Sequence, residues 1–159
     1  MKIYFARHGE SEANILRIIS NRDLPHPLTQ KGIAQAHDLA NTLRKYTIQR
    51  IFFSPIPRTR ETAEIVAPEL GIPYEVADAL REFDCGGMEG RGDPEALAAH
   101  QAVMEAWLTK KDTSARIPPD GESYEDMKAR FLPFINQLLA NGEDALLITH
   151  GALLINMLP

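Results

Sequence analysis

Cysteine is almost absent from this 159-residue chain: Cys85 stands alone, so no disulfide forms within it and a reducing, cytoplasmic setting is expected. Basic charge is also short. Lys and Arg number 17 against 22 for Asp and Glu, and the resulting formal charge of −5 argues against nucleic acid as a partner, since backbone phosphates are met by a basic face. Long apolar runs are missing too. The most apolar stretch, Ala145 to Leu158, is broken by His150 and Asn156 and is too short and too polar to span a bilayer, so no membrane is expected either. The first residues enter β-forming sequence without a charged segment and apolar h-region, so no signal peptide is expected. Internal repeats, low-complexity tracts and long linkers are lacking as well. What remains, 44% hydrophobic residues, suits one globular domain over residues 1–159 whose core needs no covalent staples.

The elements that are present alternate. Ile3-Tyr4-Phe5-Ala6 is a strand that stops at Arg7-His8-Gly9-Glu10, and a loop of turn formers runs from Asn21 to Pro27. Thr29 sits at an N-cap position, and Ile33, Ala36, Leu39, Ala40 and Leu43 then recur at helical spacing. Ile51-Phe52-Phe53 reads as a second buried strand, residues 57–70 as a helix closed by Gly71, and Tyr74-Glu75-Val76 as a short third strand. Ser123 opens the clearest helix, with Tyr124, Met127, Phe131, Phe134, Ile135, Leu138 and Leu139 assigned to one stripe and Asn141-Gly142 at its end. Ala145 to Ile148 is another strand, which stops at Thr149-His150-Gly151. This βα alternation predicts a three-layer α/β/α sandwich on a mostly parallel sheet. Residues 91–119 interrupt the pattern with a helix near 96–108 and read as a lid-like insertion over the site.

Chemistry concentrates where strands end. Arg7 offers a permanently charged planar fork for an oxyanion, and His8 beside it has a pKa suited to attack or proton exchange near neutrality. A second strand ends at His150, and a third, at Ser54-Pro55, is followed by Arg58. In a parallel sheet these carboxyl ends share one edge, so two imidazoles and two guanidiniums converge there. Such a pocket fits a phosphoryl group. An acid for the leaving alkoxide is also needed, and Glu82 is the best-placed carboxyl. Glu89 reads instead as an acceptor for backbone donors in the Gly86-Gly87-Gly90 turn. Arg60 reads as a solvent-facing helix residue, Cys85 as a small buried one, and Met104 and Trp107 as core or lid packing. His26, His37 and His100 have no metal-ligand spacing and read as loop or helix-surface residues, with His26 placed to reach substrate from its loop.

Six ordered motifs carry a family resemblance. They are Arg7-His8-Gly9-Glu10-Ser11 with Asn14; Pro27-Leu28-Thr29 with Gly32, Gln35 and Ala36; Ser54-Pro55 with Arg58, Glu61, Thr62 and Ala63; Leu80 with Glu82, Gly86, Glu89 and Gly90; Gly121-Glu122-Ser123; and Thr149-His150-Gly151. With these the chain resembles the histidine phosphatase superfamily, in its phosphoglycerate-mutase-like branch. The resemblance implies a phosphoglycerate-mutase-like fold and a phosphohistidine mechanism. His8 would be the nucleophile; Arg7, Arg58 and His150 would hold the phosphoryl oxygens; Asn14 would add a neutral donor; Glu82 would serve as general acid and then base. No metal and no cofactor is implied, because arginines and histidines supply the positive charge.

Departures narrow the expectation. Many relatives have an aromatic residue at the position of Ala13 and a tryptophan at that of Met88, so the apolar wall beside the pocket is thinner here. Leu80-Arg81-Glu82 followed by Gly86-Gly87-Met88-Glu89-Gly90 looks like the phosphatase branch, including α-ribazole phosphatases and broad-range small-molecule phosphatases. The expected activity is hydrolysis of a small phosphorylated metabolite. A phosphoglycerate-type mutase, a protein phosphohistidine or phosphoserine phosphatase, and a phosphoester-binding pseudoenzyme are the alternatives. The short apolar segment 152–158 needs cover, which either a shortened sequence or a homodimer partner would explain.

Overall fold

The computed structural model describes residues 1–158. Its sheet has four strands, β1 (Ile3–Arg7), β2 (Arg50–Phe53), β3 (Tyr74–Val76) and β4 (Ala145–Thr149), in the order β1-β4-β2-β3. Every pairing is parallel, with Arg7 opposite Thr149 and Phe53 opposite Ile148. The parallel arrangement demands cover on both faces, and the period-two alternation of side chains supplies it. Phe5, Phe52 and Leu147 point into one core with Leu80, Phe83, Trp107, Met127 and Phe131. Ala6, Ile51, Phe53, Leu146 and Ile148 point into the other with Ala36, Ala40, Ala63 and Val66. The three-layer α/β fold read from the alternating pattern is thus the one observed.

One outer layer holds α2 (Gln30–Leu43) and α3 (Pro57–Leu70). Thr29 caps α2 by accepting the Gly32 N–H at 3.0 Å, and Gly71 ends α3 in the left-handed conformation at φ 66°. The other layer holds α4 (Pro94–Leu108), α5 (Tyr124–Asn141) and α6 (Gly151–Met157). Ser123 caps α5 in a reciprocal box with Asp126, and Gly142 closes it at φ 73°. The stripe read on α5 holds except at Leu139, which is 55% exposed. Leu138 already fills the inward position, and the next residue is rotated about 100° from it.

A short helix, α1 (Glu12–Leu16), was not expected from the polar stretch after Gly9. Ser11 and Asn14 make it: the Asn14 Oδ1 accepts from the Ser11 N–H at 2.9 Å and from its hydroxyl at 3.0 Å. Gly9 and Gly32 are required by contact. A Cβ on Gly9 would stand 2.4 Å from the Gly32 carbonyl oxygen, and one on Gly32 would stand 2.0 Å from that of Glu10. The end of β1 therefore lies against the first turn of α2 at a distance only two glycines allow.

Candidate active site

The carboxyl ends of β1 and β4 lie side by side, so His8 and His150 follow their strands into one corner, with ring centroids 5.3 Å apart. Arg58, on the first turn of α3 after β2, reaches the same corner. Its Nε donates to the His8 Nε2 at 2.8 Å, Nη1 donates to the Ser20 carbonyl, and Nη2 lies 3.4 Å from the Asn21 Oδ1. On its other side the His8 Nδ1 meets the Gly9 carbonyl at 2.6 Å. A carbonyl only accepts and a guanidinium Nε only donates. The two partners therefore fix the neutral Nδ1–H tautomer, with the lone pair on Nε2. Burial, and then the Arg58 and Arg7 charges, pull the His8 pKa down to about 3, so the ring is neutral at physiological pH.

His150 is fully buried. Its Nε2 bonds the Ser54 hydroxyl at 2.8 Å, its Nδ1 has no partner among the described residues, and burial with the Arg58 charge holds its pKa well below the usual histidine value. It stands behind His8 and not on the cleft wall, unlike the other expected site residues. Arg7 is exposed at the end of β1 and lies over Gly151. Asn14, on the cleft wall, spends its Oδ1 on Ser11, which leaves its amide NH₂ without a partner among the described residues.

Glu82 is buried, and its carboxylate caps α6 by accepting the Ala152 N–H at 2.8 Å and the Leu153 N–H at 2.9 Å. Burial raises its pKa; those donors and Arg58 oppose the rise without cancelling it. Glu89 accepts from the backbone N–H groups of Cys85 and Asn21, at 2.8 and 2.9 Å, and ties the glycine turn together as expected.

Arg7, His8, Asn14, Arg58 and Glu82 share a cleft of about 490 Å³. Asn21, which had no role in the sequence reading, joins two parts of it: its Nδ2 donates to the Phe83 carbonyl at 3.0 Å while its Oδ1 faces Arg58. His100 is a correction, since it lines the cleft from α4 against the Phe83 ring, centroids 5.2 Å apart, instead of sitting on the helix surface. Its spacing from Leu97 and Met104, which line the same wall, was the signal available. Trp107 packs in the core, as expected. His26 bonds the Ser20 hydroxyl at 2.8 Å and is absent from the cleft wall. A second concavity of about 540 Å³, between β3 and α5, has its Arg50 neutralised by Glu75 and Glu143 and offers no free positive charge. Among the described residues no three His, Cys, Asp or Glu side chains are grouped to hold a metal ion, and no helix is long and apolar enough to cross a membrane.

A parallel α/β sandwich with a neutral histidine among arginines at the carboxyl edge of its sheet is of the class that handles phosphoryl groups. The chain belongs to the histidine phosphatase superfamily (branch 1), which it matches over residues 3–158, and a phosphatase is the enzyme that membership supports. It is 31% identical over 156 residues to the adenosylcobalamin/alpha-ribazole phosphatase of Salmonella typhimurium, covering 97% of this chain and 76% of that one. It is 32% identical over 153 residues to the "Probable phosphoglycerate mutase GpmB" of Yersinia pestis, covering 95% and 70%. The solved mycobacterial glucosyl-3-phosphoglycerate phosphatase superposes with a TM-score of 0.80 at 25% identity, covering 96% of this chain and 75% of that one.

Proposed function

We propose that the chain hydrolyses a small phosphomonoester through a phosphohistidine on His8. The observation that carries this is the His8 ring, whose tautomer is fixed by Gly9 and Arg58 so that the lone pair is on Nε2, on the side of the phosphoryl-binding Arg58, on a base kept neutral far below pH 7. Nε2 attacks phosphorus as the ester P–O bond breaks, and the leaving alkoxide takes a proton from Glu82. Glu82, then a carboxylate, accepts a proton from water as that water attacks the phosphohistidine and releases phosphate. Burial fits Glu82 for this cycle because it favours the protonated form the first step needs.

Arg7, Arg58 and Asn14 are assigned to the phosphoryl oxygens, where charge is spread in a loose transition state. Arg58 must leave the His8 Nε2 to take this role. His150, buried behind His8, is assigned as the remaining donor. Residues 91–119 are assigned as the insertion that walls the cleft, with Leu97, His100 and Met104 toward the substrate. Hydrolysis is favoured over mutase action by the cleft's exposure to water along its rim, where Asn14, Arg17 and Leu97 are all exposed.

The test is turnover of 4-nitrophenyl phosphate in EDTA, with an alkaline denaturing quench to trap a base-stable phosphoprotein that is then lost on acid treatment. Activity and trapped phosphohistidine in the wild type, both lost in His8→Ala, are expected. Retained phosphate binding with no turnover would instead establish a phosphoester-binding protein.

A further inference from the structure

The phosphoryl group accounts for Arg7 and Arg58 but not for a third arginine in the same cleft. Arg17 follows α1 in the left-handed conformation, φ 53°, a position that most often takes glycine because a Cβ there is crowded. Its backbone is held on every side. Its N–H donates to the Ala13 carbonyl, and the next two N–H groups donate to the carbonyls of Ala13 and Arg91 at 3.0 and 2.9 Å. Its own carbonyl lies so near Gly92 that a Cβ there would stand 2.6 Å away.

The charge at the end of that side chain is also unusual. Two neighbouring arginines are neutralised, Arg22 by Asp84 at 2.8 Å and Arg91 by Asp93 at 2.8 Å with Glu95 beyond it. Arg17 has no carboxylate within ion-pairing distance among the described residues, and the one acid lining the cleft, Glu82, is buried against α6. Beside Arg17 the wall is apolar, formed by Ile18, Leu97, Met104 and Ile155. An unpaired guanidinium on a fixed backbone, next to an apolar wall, in a cleft that already holds the phosphoryl site, is arranged for a ligand with a second anion.

We propose that Arg17 is a specificity-determining residue that binds a second anionic group, a carboxylate or a second phosphate, on the alcohol part of the phosphomonoester, whose apolar portion lies on the α4–α6 wall. This rests on the proposed phosphomonoesterase activity. It accounts for a non-glycine residue in a conformation that disfavours one: the side chain is what the position retains.

The test compares phenyl phosphate, 4-carboxyphenyl phosphate and 1,4-phenylene bisphosphate, which share a ring and differ in the second charge. The wild type is expected to prefer one or both charged esters, and Arg17→Gly, which suits the left-handed backbone and keeps the fold, to reduce that preference in kcat/KM about tenfold, mostly through KM. Arg17→Lys should retain most of it. Which charged ester loses its advantage identifies carboxylate or phosphate as the anion. A preference within twofold of the wild type's in Arg17→Gly for both charged esters would overturn the proposal. Failure of the wild type to hydrolyse any of the three would defeat the phosphatase reading alone. Calorimetric affinities for the same three esters, wild type against Arg17→Gly, would then decide the role of Arg17 by the same ratio.

Discussion

The Arg58 Nε donates to the His8 Nε2 at 2.8 Å, so the cation assigned to the phosphoryl group occupies the lone pair assigned to attack it. Both groups are buried: burial takes Arg58 down to about 10, and burial with the Arg58 charge takes His8 to about 3. An entering phosphate dianion outcompetes a neutral imidazole for the guanidinium, because it adds the attraction of opposite charges in a low-dielectric cleft and a two-pronged acceptor that the neutral ring lacks. Binding and exposure of the nucleophile are therefore one event.

The first expectation follows from that contact. In ¹⁵N spectra at neutral pH, His8 should show a protonated Nδ1 and a bare Nε2, and inorganic phosphate or vanadate should shift Nε2 as Arg58 leaves it. A protonated Nε2 would remove the proposed nucleophile. Arg58→Ala should lower kcat/KM by roughly 10²–10³, the scale seen when one donor to a developing oxyanion is deleted.

A second expectation concerns acid. His8 and His150 have native pKa values below the unfolded value of 6.5, so below about pH 6.5 the unfolded chain takes up protons that the native rings refuse. Stability must fall as pH drops from there toward 3. For His8 alone the loss is up to about 3 kcal/mol by pH 4.5, at 1.4 kcal/mol per unit. Urea denaturation across that range should show the slope, and His8→Asn should reduce it, leaving the part due to His150.

Glu82 moves the other way. Its raised pKa means that the protonated acid is lost as pH rises through that value, so kcat/KM for alkyl phosphates should decline on the alkaline side. Glu82→Gln should abolish that limb and lower the rate for alkyl esters by about 10²–10³, with a smaller effect on 4-nitrophenyl phosphate, whose leaving group needs no proton. Equal losses for both ester types would point to a role in capping α6 and not in proton transfer.

The paired glycines give a stability test away from the chemistry. Gly9→Ala or Gly32→Ala forces apart two backbones, with a Cβ placed 2.4 or 2.0 Å from a carbonyl oxygen. Each should cost about 2–4 kcal/mol by chemical denaturation, at the upper end for single substitutions. A change under about 0.5 kcal/mol, the usual range of surface substitutions, would mean that the two backbones part readily to admit the methyl group.

Much of this was legible along the chain. Thr29, Ser123, Gly71 and Gly142 mark helix ends by local chemistry that acts over a few residues, and all four do so in the structure. Arg7, His8, Arg58 and Glu82 were nameable because chemistry confines catalysis to few residue types, and strand ends say where those residues gather. Leu139 and His100 were misread because their settings depend on how far a helix is rotated, an angle fixed by packing against distant residues. Asn21 and Arg17 went unseen for a related reason: a loop side chain has no period to reveal it.

By itself, then, the sequence determined the alternation of strands and helices, their caps, and the set of groups able to handle a phosphoryl ester. These depend on contacts within a few residues or on side-chain chemistry alone. Tertiary structure decided which nitrogen of His8 lacks the proton, how deeply His150 lies, that Glu82 faces the N–H groups of α6, and that Arg17 has no carboxylate partner among the described residues. Each is a matter of hydrogen-bond partners and burial set by residues far along the chain, and those are fixed only when the sheet brings its strand ends together.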